Sequence, residues 1–157
     1  RLSRVPATAA EAKSVGDVTL LGAEATEGGF RAALSKRPRW RAVHFACHGL
    51  VDVEHAERSC LALTPDDRDD GFLTSREIFS ISIPADLVTL SACETGRGKV
   101  VDAEGILGLT RSFMYAGSPR VLCSLWKVDD EETAALMTSF YARWNPKVGS
   151  KGVSASA

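Results

Sequence analysis

The 157 residues are 45% hydrophobic and 25% charged, with a formal net charge of −1. This balance excludes wholesale disorder and gives no overall field for gripping nucleic acid or an anionic membrane. No apolar run approaches the ~20 residues of a bilayer span, so neither a membrane nor a nucleic-acid partner is expected.

The first residues, Arg1-Leu2-Ser3-Arg4, lead into no apolar leader. With no initiator Met, the sequence reads as a piece of something longer. Thr8–Val15 is expected as a short helix and Val18–Leu21 as a short strand ended by Gly22. Thr26-Glu27 opens a helix through Phe30, Ala33 and Leu34, which Pro38 stops. Trp40–Cys47 reads as a strand closed by His48-Gly49, and Cys60–Thr64 as a short strand of a small edge hairpin. Thr74-Ser75-Arg76-Glu77 has the form of a capping box, which predicts a short helix over Ser75–Phe79.

Asp86–Ala92 is a second strong strand, ending at Cys93 and followed by a Gly-rich loop, Glu94–Val101. Ile106, Leu109, Phe113 and Met114 recur at helical spacing, giving a helix over Ala103–Ala116. Val121–Trp126 is the third strong strand. Glu131–Trp144 is a last helix with Met137, Phe140, Tyr141 and Trp144 on one stripe. The Gly/Ser/Lys-rich residues 146–157 are expected to form a flexible tail. The strong strands are continuous apolar runs separated by helices. They predict an α/β fold, a mostly parallel sheet flanked by helices on both faces.

The four cysteines, Cys47, Cys60, Cys93 and Cys123, have no zinc-like spacing, so no metal or other cofactor is expected. Three of them lie in or just after apolar runs, which suits a reducing compartment and a cytoplasmic location. Sites in open parallel sheets form beyond the carboxyl ends of the strands. His48 lies past one such end and Cys93 past another. A Cys nucleophile activated by a nearby His is one reading, and a buried thiol beside a turn is the other.

Three stretches then acquire a shared meaning. They are His44-Phe45-Ala46-Cys47-His48-Gly49, Asp86-Leu87-Val88-Thr89-Leu90-Ser91-Ala92-Cys93-Glu94-Thr95-Gly96 and Ser124-Leu125-Trp126-Lys127-Val128-Asp129-Asp130. Together with Asp70-Gly71-Phe72-Leu73-Thr74 and Ala103-Glu104-Gly105-Ile106-Leu107-Gly108-Leu109, they resemble the CHAT domain. That is a caspase-like, separase-related domain commonly found after tetratricopeptide repeats. The resemblance implies a caspase-like domain over 1–145 and a cysteine endopeptidase acting on a protein or peptide substrate. Its catalytic dyad would be His48 and Cys93, in a longer chain that also holds tetratricopeptide repeats.

Backbone N–H groups of Gly49 and Cys93 would form the oxyanion hole, although Gly49 also suits a plain turn. Glu94, next to the nucleophile, opposes thiolate formation unless its side chain points away. In separase-like relatives an Asp after Trp-x-Val-x lines the pocket for a basic residue preceding the cut, which points to Asp130 and to cleavage after Arg or Lys. Asp129-x-x-Glu132 is also a capping signature, so either Asp is alternatively only a cap. His44, at even spacing from His48, would face the dyad or be a hydrogen-bonded core residue, and His55 would be solvated.

From Asp52 through Glu77 there are eight acids against three bases, expected as solvated loops or as a field steering a basic substrate. Arg31 to Arg41 carries five bases and no acid, read as an exposed helix or a docking surface. The competing function is a non-catalytic caspase-like scaffold attached to a repeat domain. A serine hydrolase and a dinucleotide-binding domain are excluded, because neither Gly-x-Ser-x-Gly nor Gly-x-Gly-x-x-Gly is present.

Overall fold

A computed structural model of the chain describes residues 6–52, 54–91, 103–124, 128–144 and 152–156. Helix α1 (Pro6–Val15) begins on a proline, which suits a first helical position because its missing N–H would be unbonded anyway. Strand β1 (Gly16–Leu21) and a single 3-10 turn lead to α2 (Glu27–Leu34). Thr26 caps α2: its hydroxyl accepts the Gly29 N–H at 3.0 Å. Strand β2 (Trp40–Phe45), β3 (His48–Leu50), β4 (Cys60–Ala62) and β5 (Phe72–Thr74) precede α3 (Ser75–Ile78). The expected capping box is formed there, with both the Thr74 and the Glu77 side chains engaged. Strand β6 (Ala85–Leu90), α4 (Ala103–Tyr115), β7 (Val121–Cys123), α5 (Asp130–Trp144) and β8 (Gly152–Ser156) complete the order.

The main sheet has the order β1-β8-β2-β6-β7, and every pairing is parallel. Helices α2, α3 and α4 lie on one face and α1 with α5 on the other, so the expected sheet flanked on both faces is present. The register aligns Val18, Val153, Val43, Val88 and Val121 in one row, and Leu20, Ala155, Phe45, Leu90 and Cys123 in the row two residues on. Between them runs a row of Thr19, Ser154, His44, Thr89 and Leu122. Strand residues alternate in facing, so the two sides of the sheet receive different chemistry. The apolar side holds the main core: Phe30, Val43, Phe45, Val88, Leu90, Leu109 and Phe113.

Strands β3, β4 and β5 form a separate antiparallel sheet beyond the carboxyl edge. Gly71 ties this small sheet down. Its φ is +82°, and a Cβ there would stand 2.7 Å from the Pro65 nitrogen and 2.8 Å from the Leu63 carbonyl oxygen. Its own carbonyl accepts the Leu63 N–H at 2.7 Å. Only glycine fits both demands.

Three expectations are corrected. The strand expected over Trp40–Cys47 stops at Phe45, and His48 begins a new strand in a different sheet. The Cys60–Thr64 strand is the middle member of a three-stranded sheet, whose third member, β5, carries too few residues to show a pattern. Part of the flexible tail expected over 146–157 is a strand. Gly152–Ser156 pairs with β1 on one side and β2 on the other, because their backbone edges supply partners that composition does not reveal.

Candidate functional site

Phe45, Leu90 and Cys123 stand in register at the carboxyl ends of β2, β6 and β7. The Ser91 N–H donates to the Phe45 carbonyl at 2.8 Å, which carries the β2–β6 ladder one step past the strands. His48 is three residues beyond Phe45, and Cys93 is three residues beyond Leu90. From Phe45 the chain passes through buried Ala46 and Cys47 into β3. There His48 pairs with Ala62, and Gly49 with Leu61. His48 is 9% exposed and Gly49 is buried. The His48 main chain is therefore held by strand pairing instead of lying in a loose loop.

His44 does not join it. The shared-face argument needed one strand through both residues, and β2 ends between them. His44 is a hydrogen-bonded core residue: its Nε2 lies 3.0 Å from Glu11 Oε1, and both side chains are at most 3% exposed. The Tyr141 ring meets it edge-on at 5.5 Å. His55 is exposed, with Glu57 3.6 Å away.

The three described cysteines are poor nucleophiles. Burial pushes the Cys47 thiol up to about 12, with smaller contributions from Cys60 and Glu11. Burial likewise raises Cys60 to about 11, aided by Asp70 and Glu77, and raises Cys123. At neutral pH less than about one Cys47 or Cys60 thiol in a thousand is the reactive thiolate. Cys93, Glu94, the Gly-rich loop and Trp126-Lys127 lie outside the described residues.

At the start of α5, Asp129 Oδ1 accepts the N–H groups of Glu131 at 2.9 Å and Glu132 at 3.1 Å. Asp129 is thus the cap, and half-buried Asp130 is the first helical residue. The acidic stretch spends carboxylates on its own loops. Asp52 accepts from His55 and Glu54, and Asp66 from Arg68 and Asp69, which lowers both carboxyls. The basic stretch is similarly engaged: Arg31 with Glu27 and Asp69, Arg37 with Asp17, Arg39 with Asp86.

Two residues escaped sequence reasoning. Ser91 joins the two strand ends through its backbone, and its buried Oγ has no hydrogen-bond partner among the described residues. Its position two residues before Cys93 was the available signal. Glu11, the partner of His44, carries no signal in a single sequence, because its contact is 33 residues away. Among the described residues no group of three or more His, Cys, Asp or Glu could hold a metal ion. Nor is any described helix long and apolar enough to cross a membrane.

The CHAT domain family model matches residues 1–156. Tetratricopeptide repeat protein 28 of Homo sapiens is 34% identical over 70 residues, and its Mus musculus counterpart 33% identical over 70 residues. Those residues are 45% of this chain and 3% of either relative, so the match spans a small part of the relatives' length.

Proposed function

Because this chain belongs to the CHAT domain family, we propose that it is a caspase-like cysteine endopeptidase domain with Cys93 as nucleophile and His48 as general acid–base. The observation that carries this reading is the matched offset. Phe45 and Leu90 are register partners, Ser91 bonds back to Phe45, and His48 and Cys93 each follow three residues on. Adjacent strands lie ~4.8 Å apart, and two further residues add at most ~7.6 Å from Ser91 to Cys93, so the thiol stays within chain reach of the His48 edge. The raised thiols of Cys47, Cys60 and Cys123 count against those three as the nucleophile.

In this mechanism the Cys93 thiol gives its proton to His48, and the sulfur attacks the peptide carbonyl carbon. The carbonyl oxygen takes the negative charge and accepts N–H bonds from Gly49 and Cys93. His48 then protonates the departing amine as the C–N bond breaks. Water, losing a proton to His48, hydrolyses the thioester and frees the thiol. Asp129 acts as the cap, and Asp130, the residue matched by the family resemblance, is the one proposed to select Arg or Lys before the cut. The relatives' tetratricopeptide repeats support a longer parent chain in which this domain follows such repeats. Free, buried Cys47 and Cys60 fit a cytoplasmic setting.

The low exposure of His48, 9%, favours a second reading, a non-catalytic scaffold. A peptide-library cleavage assay on the longer parent protein separates the two. Cys93→Ala and His48→Ala are expected to lower turnover by about a thousandfold or more, and Asp130→Asn to relax the preference for Arg or Lys. Cys47→Ala should leave cleavage unchanged. Parental turnover by Cys93→Ala overturns the peptidase reading, and no cleavage by the parent selects the scaffold.

A further inference from the structure

We propose that the outer surface of α4, together with the end of α3, is a docking face for an acidic amphipathic helix of a partner protein. Among the described residues six bulky apolar side chains are at least 41% exposed, and four of them, Phe79, Leu107, Met114 and Tyr115, lie on α4 or at the end of α3. Phe79, which ends α3, and Tyr115, the last residue of α4, meet with ring centroids 5.2 Å apart, yet they are 44% and 75% exposed. Rings that touch each other and still face water form a patch, which scattered apolar residues do not. Along α4, Leu107, Arg111 and Met114 follow at i, i+4 and i+7, so they share one stripe, ~12 Å long as far as Tyr115. The core has claimed the other side of this helix, where Leu109, Phe113 and Ala116 are buried.

Charge identifies the occupant. Arg76 precedes Phe79 by three residues, Arg111 precedes Met114 by three and Tyr115 by four, and both arginines are exposed. Among the described residues neither has an ion-pair partner, whereas Arg31, Arg37 and Arg39 are each engaged. The carboxylate next to Arg76, that of Glu77, is spent on Thr74. Unpaired guanidiniums beside an apolar stripe call for carboxylates set next to apolar anchors. An amphipathic helix with Leu or Phe on one face and Glu or Asp along its flanks has that pattern. A second copy of this chain docking the same face across a two-fold axis would set arginines against arginines. A nucleic acid would meet two cations amid exposed apolar surface, a poor match for a row of phosphates. The proposal stands without the peptidase reading.

The test uses the intact chain and a fluorescent helical peptide of about 15 residues, with Leu, Phe and Leu at i, i+4 and i+7 and Glu on the flanks. The parent chain should bind it, and should bind a version with Lys in place of Glu about tenfold or more weakly. Tyr115→Ala and Phe79→Ala should each weaken the Glu peptide about tenfold, with the circular-dichroism spectrum of the parent retained. Arg76→Glu combined with Arg111→Glu should reverse the preference, so that the Lys peptide binds better than the Glu peptide. Leu136→Ala, which removes an exposed apolar side chain on α5, should change nothing. No binding of the Glu peptide, equal binding of the Lys peptide, or binding that survives Tyr115→Ala together with Phe79→Ala each overturns the docking face. Self-association abolished by Tyr115→Ala, or binding of single-stranded RNA or phosphatidylserine vesicles abolished by Arg111→Glu, in place of peptide binding, overturns the acidic helix as its occupant.

Discussion

The two faces of the main sheet are held by different physics. Toward α2 and α4, Phe45 meets Phe30 at 5.0 Å and Phe113 at 5.5 Å between ring centroids, and all three are fully buried. Toward α1 and α5, the same strands present His44 and Thr89. Glu11 bonds His44, and the Tyr141 hydroxyl lies 2.6 Å from Thr89 Oγ1. The apolar side gains from non-directional burial and supplies bulk stability. The polar side gains little net energy per bond, but its partners fit in one arrangement only. Helix α5 is seated on that directional side, and its first residue is Asp130. A hydrogen bond between Tyr141 and Thr89 thus helps seat α5, while the strands leading toward His48 and Cys93 are positioned by packing.

Truncation on the apolar side should have the largest effect. Phe45→Ala empties the centre of the aromatic cluster and should cost about 3–5 kcal/mol in urea unfolding. Glu11→Ala should cost about 1–3 kcal/mol, most of it from leaving His44 buried and unbonded. The double change Glu11→Leu with His44→Leu should recover much of that loss, because it removes both buried polar groups together. If Glu11→Ala cost as much as Phe45→Ala, or if the double variant were worse than the single, the contrast between the faces would fail.

This division also explains what was legible beforehand. Strands β2 and β6 stood out because both read as runs rich in apolar residues, with Val43 and Phe45 of β2 on the packed side. The caps at Thr26 and Thr74 were readable because their partners lie three residues away. Strand β8 was illegible, since Gly-Val-Ser-Ala-Ser has no apolar run and owes its conformation to edges more than a hundred residues earlier. The placement of His48 was half-legible. Its position past β2 could be read from the apolar run, but its membership of β3 depends on pairing with Ala62, which no local pattern announces.

The smallest expected effect sharpens the contrast, because it concerns a buried carboxylate on the apolar side. Glu27 is 1% exposed; its Oε2 lies 2.9 Å from Arg31, and its Oε1 has no partner among the described residues. Burial raises its carboxyl above the ordinary 4.5; Glu77 and Asp69 raise it further, Arg31 opposes, and Asp70 adds a smaller push upward. The folded chain therefore holds this proton more tightly than the unfolded one. Stability contributed by Glu27 should rise as pH falls from neutrality toward 4.5, the reverse of the usual carboxylate trend. Asp52 and Asp66, lowered from 3.8, act in a separate and more acidic window: their contribution is present above 3.8 and is lost below it. Glu27→Gln should thus narrow its stability advantage, or widen its deficit, relative to the parent between pH 7 and 4.5, as urea unfolding at three pH values in that range would measure. A parent–variant difference that stays flat across the range would mean that the orphaned oxygen finds a partner in solution, and that the apolar side tolerates charge as readily as the polar one.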